Sequence, residues 1–379
     1  TQTIMTLFAQ LDRDIRFETV RVNLDATTEK PALVVTLKDR ALPSSYFRMA
    51  FTYQSTYSRH FVNGMAITPA VIIRGIPFKY SRLTVDAEAF DSPGVTIQFS
   101  QPFFDLLSIT LYYSVYTDLD TWVVRASPDY LELSSAATAG LGISFYTWTG
   151  GEASLGCSYD RTPDDDYTGV ISGSAVDDAF CLHAGLDLDT TNSPILPRFG
   201  FQNKIDLLYS LSVTDSQRAF AAVSIAGGAF MPMGDAVSVG LSWLGGTDLS
   251  PQGDCAWAAP LHYKPRLDDR MLFPGLLTQA ERIGSHVFGT GLSIQYILNA
   301  STTTRNLPIS ALAEVSAGSS CQNADDFVLT SDRIHLTGCA GLGMRINDAF
   351  GVMVRAGATR NTASEWLPFF AIDLGSFGH

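Results

Sequence analysis

The stretch Ile334-His-Leu-Thr-Gly-Cys-Ala-Gly-Leu-Gly-Met-Arg-Ile346 sorts its residues onto two faces with a period of two. Ile334, Leu336, Ala340, Leu342, Met344 and Ile346 fall on one side, with His335, Thr337, Cys339, Gly341, Gly343 and Arg345 on the other, as in a β-strand. A two-residue turn at Asn347-Asp348 reverses the chain, after which Phe350, Val352, Val354 and Ala356 oppose Gly351, Met353, Arg355 and Gly357. Past a loop, Phe370, Ile372 and Leu374 oppose Ala371, Asp373 and Gly375. In each segment one face is apolar and the other small, polar or charged. That dyad pattern predicts a transmembrane β-barrel, in which lipid-facing and lumen-facing positions alternate.

Working outward, the pattern extends back to Ser44. Phe47, Met49, Phe51 and Tyr53 oppose Tyr46, Arg48, Ala50, Thr52 and Gln54, and Leu83, Val85, Ala87 and Ala89 oppose Arg82, Thr84, Asp86 and Glu88. Val95, Ile97 and Phe99 oppose Thr96, Gln98 and Ser100. Charges keep to one face, as expected when a Lys or Arg facing lipid near the midplane costs about 2–4 kcal/mol. Further segments lie near 106–118, 136–148, 151–161, 178–189, 199–212, 217–231, 235–244, 287–299 and 308–317, with a less regular one near 66–76. The expected fold is therefore an all-β membrane protein, an antiparallel barrel of about 16 strands over residues 44–379. A long loop at about 245–286, rich in Pro, Trp and Arg, interrupts the regular spacing and reads as functional. Residues 1–40 differ: Ile4, Leu7, Phe8 and Leu11 have helical spacing, and short alternating runs follow at Val20–Leu24 and Leu33–Leu37. That is a partial α/β segment ahead of the barrel, too small to fold independently.

Composition narrows the function. Hydrophobic residues make up 46% of the 379, yet no window has the roughly 18 uninterrupted apolar residues of a spanning helix. Within lipid that leaves a closed barrel, since only helices and barrels satisfy their own backbone groups. A soluble β-sandwich or solenoid is the alternative on composition alone. The net charge of −13 and the lack of a basic stripe argue against nucleic acid. Five cysteines, Cys157, Cys181, Cys255, Cys321 and Cys339, show no CxxC spacing and indicate neither a metal site nor a disulfide framework. Asp164-Asp165-Asp166 lacks the spaced ligands of a calcium loop and reads as a solvated turn. No HExxH, GxSxG or P-loop is present, and Gly338–Gly343 sits inside a strand, so neither an enzyme nor a cofactor is expected.

One segment carries a resemblance. Asp189-Thr-Thr-Asn-Ser-Pro-Ile-Leu-Pro-Arg-Phe-Gly200 resembles the Asp-Thr/Ser-Arg-Asn-Ser-x-Leu-Pro-x-x-Gly segment of the central barrel subunit of the mitochondrial sorting and assembly machinery, a relative of the bacterial barrel-assembly insertase. Asp189, Pro194, Pro197, Arg198 and Gly200 carry the turn signature, with Thr191 where the family usually has Arg. Residues 1–40 are similar to the end of the family's polypeptide-transport-associated (POTRA) domain. Asp268-Asp-Arg-Met-Leu-Phe-Pro-Gly275 resembles the start of its sixth extramembrane loop, and the three C-terminal strands match its final elements in spacing. In the family that loop enters the lumen and presents a Val/Ile-Arg-Gly-Phe tetrapeptide to acidic groups on the wall. Here the aligned stretch is Gln279-Ala-Glu-Arg-Ile-Gly-Ser285, which makes Arg282 and Gly284 the nearest equivalents and lacks the Phe. Ile73-Arg74-Gly75-Ile76 has a closer spelling but lies at the second strand, far from the long loop.

The resemblance implies an insertase of the mitochondrial outer membrane that folds β-barrel precursors into the lipid bilayer alongside accessory receptor subunits. Its lateral gate would lie between the first strand, with Tyr46, Phe47, Arg48, Met49, Ala50, Phe51 and Thr52, and the last, with Pro368, Phe370, Ile372, Asp373, Leu374 and Gly375. Pro368 cannot donate a ladder hydrogen bond and Gly375 weakens strand packing, so both suit a seam that pairs incompletely, as well as an ordinary strand end. Two alternatives share the barrel: a polypeptide-translocating channel of the same superfamily, and a structural barrel subunit of a larger complex.

Overall fold

The computed structural model describes residues 17–25, 32–39, 44–58, 60–78, 80–90, 93–106, 109–127, 130–147, 151–161, 178–191, 196–211, 220–249, 263–267, 272–273, 284–298, 309–321, 334–345, 351–360 and 365–375. Strands β1 (Phe17–Asp25) and β2 (Ala32–Asp39) form a separate antiparallel two-stranded sheet. The next strands are β3 (Ser44–Ser58), β4 (His60–Arg74), β5 (Arg82–Phe90), β6 (Gly94–Leu106), β7 (Ile109–Ser127), β8 (Tyr130–Thr147), β9 (Gly151–Arg161) and β10 (Asp178–Asp189). They are followed by β11 (Gly200–Leu211), β12 (Ala221–Pro232), β13 (Val237–Asp248), β14 (His286–Ile297), β15 (Ile309–Cys321), β16 (His335–Arg345), β17 (Gly351–Arg360) and β18 (Trp366–Gly375). These sixteen close into one antiparallel barrel in which each strand pairs with its sequence neighbours and β18 returns to β3.

Alternation decides which side chains meet lipid. Leu155 is 68% exposed, Val315 64% and Phe47 62%, on outward positions of β9, β15 and β3. With Leu141, Ile143, Leu241, Leu292, Ile294, Leu342 and Phe370 they form an apolar exterior far beyond what a water-soluble surface tolerates. Outward-facing Arg161 and Arg360 stand at strand ends. The ten residues of β17 and of β18 reach about 25 Å along the barrel axis at ordinary rise and tilt, enough to cross the apolar band.

Some boundaries differ from those expected. β4 begins at His60, opposite Ser58 of β3, and runs through Pro69. There the β4–β5 register passes from Ile67–Ala89 to Ala70–Asp86 without partners for Thr68 and Pro69, as a residue lacking an N–H dictates. β7 and β8 are longer than their alternating cores suggest. β13 extends to Asp248, so the long connection occupies residues 249–285. The expected helix at residues 4–11, the Asn347-Asp348 turn and the acidic run at 164–166 lie outside the described residues.

Candidate functional site

The seam is where the first and last barrel strands meet. β18 pairs with β17 along its whole length, from Trp366 opposite Arg360 to Gly375 opposite Gly351. β3 does the same with β4, from Ser44 opposite Arg74 to Ser58 opposite His60. Among the described residues, they pair with each other only from Phe369–Thr56 to Gly375–Ala50. The ladder stops at Pro368, although Trp366, Leu367 and Pro368 on one side and Tyr57 and Ser58 on the other continue as strand. Both strands are thus held more extensively by their outer neighbours than by each other. Ladders as short as the seam's also flank β5, each registering seven of its nine residues.

Of the expected gate residues, Ala50, Phe51 and Thr52 register with Gly375, Leu374 and Asp373. Phe370 and Ile372 face Ser55 and Tyr53. Among the described residues, Tyr46, Phe47, Arg48 and Met49 register with β4 alone, and Pro368 with β17 alone.

Beside the seam the lumenal wall carries a buried ion cluster. Arg355 on β17 is 1% exposed; its Nη2 donates to Asp373 Oδ2 on β18 at 2.9 Å and its Nη1 to Glu314 Oε2 on β15 at 3.3 Å. The Cys339 thiol on the intervening β16 also donates to Glu314 Oε2, at 3.4 Å. Taking one charge out of such a group leaves its partners desolvated and uncompensated, at about 3–5 kcal/mol. The other side of the seam has a weaker counterpart. Arg48 on β3 donates to Asp86 on β5 at 2.8 Å, but both are partly exposed to the lumen. Arg74 donates to the Tyr46 hydroxyl at 2.8 Å and lies 4.8 Å from that ring's centroid, which joins β4 to β3.

The long connection between β13 and β14 enters the barrel. Leu267, Leu272 and Phe273 pack with Leu244 and Val287 in a buried cluster on the inner wall. Glycines make room for them. A Cβ on Gly289 would stand 2.7 Å from Phe273 Cε2, and one on Gly318 2.6 Å from Leu267 Cδ1. The same connection is fastened to β9 by Tyr263, whose hydroxyl donates to Asp160 and whose ring lies 5.1 Å from that of Phe220. Burial first, then the Asp160 carboxylate, holds the Tyr263 phenol well above its ordinary pKa. Ser158 Oγ, also on β9, lies within hydrogen-bond distance of both Asp160 and His183. Gly284 donates its N–H to the Pro265 carbonyl at 3.2 Å and lies so close to Cys321 that a Cβ would come 2.6 Å from its carbonyl oxygen. Arg282 lies outside the described residues.

The described residues on either side of 192–195, between β10 and β11, lie at the opposite mouth from the long connection. Asp189 Oδ1 accepts from the Thr191 backbone N–H at 2.8 Å and from its hydroxyl at 2.6 Å, which bends the chain away from β10. Gly200 has φ +114°, and a Cβ there would lie 2.5 Å from the Thr190 carbonyl oxygen. Arg198, just after Pro197, donates to the Asp235 carbonyl at 2.5 Å. Leu196 reaches across to Leu312 and Met353 and covers Gly343. Pro194 lies outside the described residues.

Alternation placed Arg355 and Asp373 on the inner face but did not identify Glu314 as a partner of Arg355, because the two are 41 residues apart and only register across β15, β16 and β17 brings them together. The inner-face glycines were readable as small residues. What they accommodate was not.

These features define a sixteen-stranded transmembrane barrel of the outer-membrane type, with a lumen entered from both mouths and an incompletely paired seam. No protein family matches the chain, and no curated protein does. Among solved structures, BamA from Haemophilus ducreyi lacking POTRA domains 1–3 superposes with a TM-score of 0.63 at 12% identity, covering 98% of this chain and 78% of that one. CdiB from Acinetobacter baumannii superposes with a TM-score of 0.55 at 13% identity, covering 97% and 66%. CdiB from Escherichia coli gives 0.55 at 13%, covering 97% and 69%. At these identities the likeness is one of fold.

Proposed function

We propose that the chain is an insertase that folds β-barrel precursors into an outer membrane through the β3–β18 seam, and that this membrane is the mitochondrial one. The seam ladder carries the reading: it ends at Pro368 while both strands continue. An unfinished strand in lipid carries unpaired N–H and C=O groups, each costing several kcal/mol. An opened seam offers an edge on which an incoming strand satisfies those groups by β-augmentation, with little demand on its side chains. Likeness to BamA in fold and the Asp189–Gly200 segment support this reading. Accessory receptor subunits would deliver the precursor, and the chain itself would catalyse no covalent chemistry. A second reading, a polypeptide-translocating channel, draws on the fold likeness to CdiB and on the half-exposed Lys204–Asp206 pair in the lumen. Leu267 and Phe273, packed inside the barrel, weigh against an open pore.

Site-specific crosslinking separates the readings. Single cysteines along residues 45–56, in a background without the five native ones, are challenged with a stalled barrel precursor carrying a cysteine in its last strand. Crosslinks at alternate positions of β3 are expected. Their absence from a folded, complexed barrel, with crosslinks instead to lumenal residues such as Lys204, would favour the channel.

A further inference from the structure

The two edges of the seam differ in what holds them. β18 is fastened from inside: Arg355 bonds Asp373 of β18 and also Glu314 of β15, so one guanidinium links three strands of the same wall. Arg355 and Asp373 are almost fully buried, and in that setting a charge-assisted hydrogen bond escapes screening by water and salt. β3 is joined to its hairpin partner β4 by the Arg74–Tyr46 bond, but beyond β4 it is fastened by Arg48 to Asp86 of β5, a partly exposed pair of the kind that contributes little. At the Pro368 end the ladder between the edges has already stopped.

We infer that Arg355 is a positioning residue that keeps β18 docked on β17 when the seam parts, so that opening begins at the Pro368 end and β3 is the edge that swings away. β18 then acts as the fixed edge and β3 as the mobile template. This rests on the seam being the line that opens, and it adds which strand moves and which side chain decides it.

The outward row Val354–Ile372–Tyr53–Met65 provides the ruler, since these residues are register partners across β17, β18, β3 and β4. Nitroxide pairs at 354/372, 372/53 and 53/65 are introduced into the cysteine-free barrel in lipid vesicles and read by dipolar broadening. In the otherwise native protein the 372/53 pair should lose broadening on addition of a precursor's last-strand peptide, while 354/372 keeps it. Arg355→Met should cost the 354/372 pair more than half of its broadening, and Arg355→Lys should restore it. Asp373→Asn, a smaller change that preserves volume, should act in the same direction if Arg355→Met fails to fold. Unchanged 354/372 broadening in whichever of these two variants folds would overturn the inference, as would separation at 354/372 rather than 372/53 in native protein. Crosslinks from precursor to β3 combined with separation at 354/372 would leave the insertase reading standing and remove only the fixed edge.

Discussion

The inner wall of the barrel has two unlike halves. Along β13–β15 it is covered by Leu267, Leu272 and Phe273 from the long connection, along β15–β17 by Leu196 from the opposite mouth, and it is cross-linked up to β18 by Arg355. Around β3–β5 and β11 the ion pairs Arg48–Asp86 and Lys204–Asp206 stand partly in water. The seam falls at the end of the covered half. Backbone ladders alone therefore do not set how firmly each edge of the seam is held, because side chains inside the lumen tie strands that do not touch in the sheet. On the proposed gating, the line of opening follows from those internal ties as much as from missing hydrogen bonds.

The comparison can be broken most forcefully at Arg355. Arg355→Met strands Asp373 as a buried carboxylate beside the partly buried Glu314 and should destabilise the barrel by about 3–5 kcal/mol, read as a lowered unfolding midpoint in detergent. If the covered half owes its rigidity to packing from the long connection, Phe273→Ala should be comparably severe, since truncating a core Phe costs about 3–5 kcal/mol. Its readout is protease cleavage within residues 249–285, on the order of 100-fold faster than in the native protein.

How far the sequence foretold this division depends on the range of each interaction. Alternation in β16–β18 is local, and it gave the face of Arg355, Asp373 and Leu342 correctly because a strand's period does not depend on its partners. The barrel closure followed from repeating that pattern about 16 times. The ties across the lumen are non-local. Phe273 finds Gly289 and Gly318 only once β14, β15 and the long connection are in place, and Leu196 finds Gly343 from the connection between β10 and β11. Pro368 lay between the two cases. Its missing N–H was evident, but that the seam ladder ends beside it required the register.

Smaller effects sharpen the contrast. Gly200→Ala forces a side chain into a left-handed backbone against the Thr190 carbonyl and should cost about 1–3 kcal/mol, loosening Leu196 from its seat, as shown by faster labelling of a cysteine at Met353. Arg48→Met, on the wet side of the seam, should lower stability by less than about 1 kcal/mol in the same unfolding assay that reports on Arg355. An equal loss at both arginines would erase the distinction between the two edges.

The most direct test of the central claim is to lock the seam. Phe51 and Leu374 are register partners across β3 and β18, and Ala340 and Ala356 are register partners across β16 and β17. Each pair is replaced by cysteines in the cysteine-free background and oxidised, and precursor insertion into vesicles is measured before and after reduction. If the β3–β18 seam is the working gate, the 51–374 disulfide stops insertion, reduction restores it, and the 340–356 disulfide has no effect. Undiminished insertion with the seam locked would contradict the account.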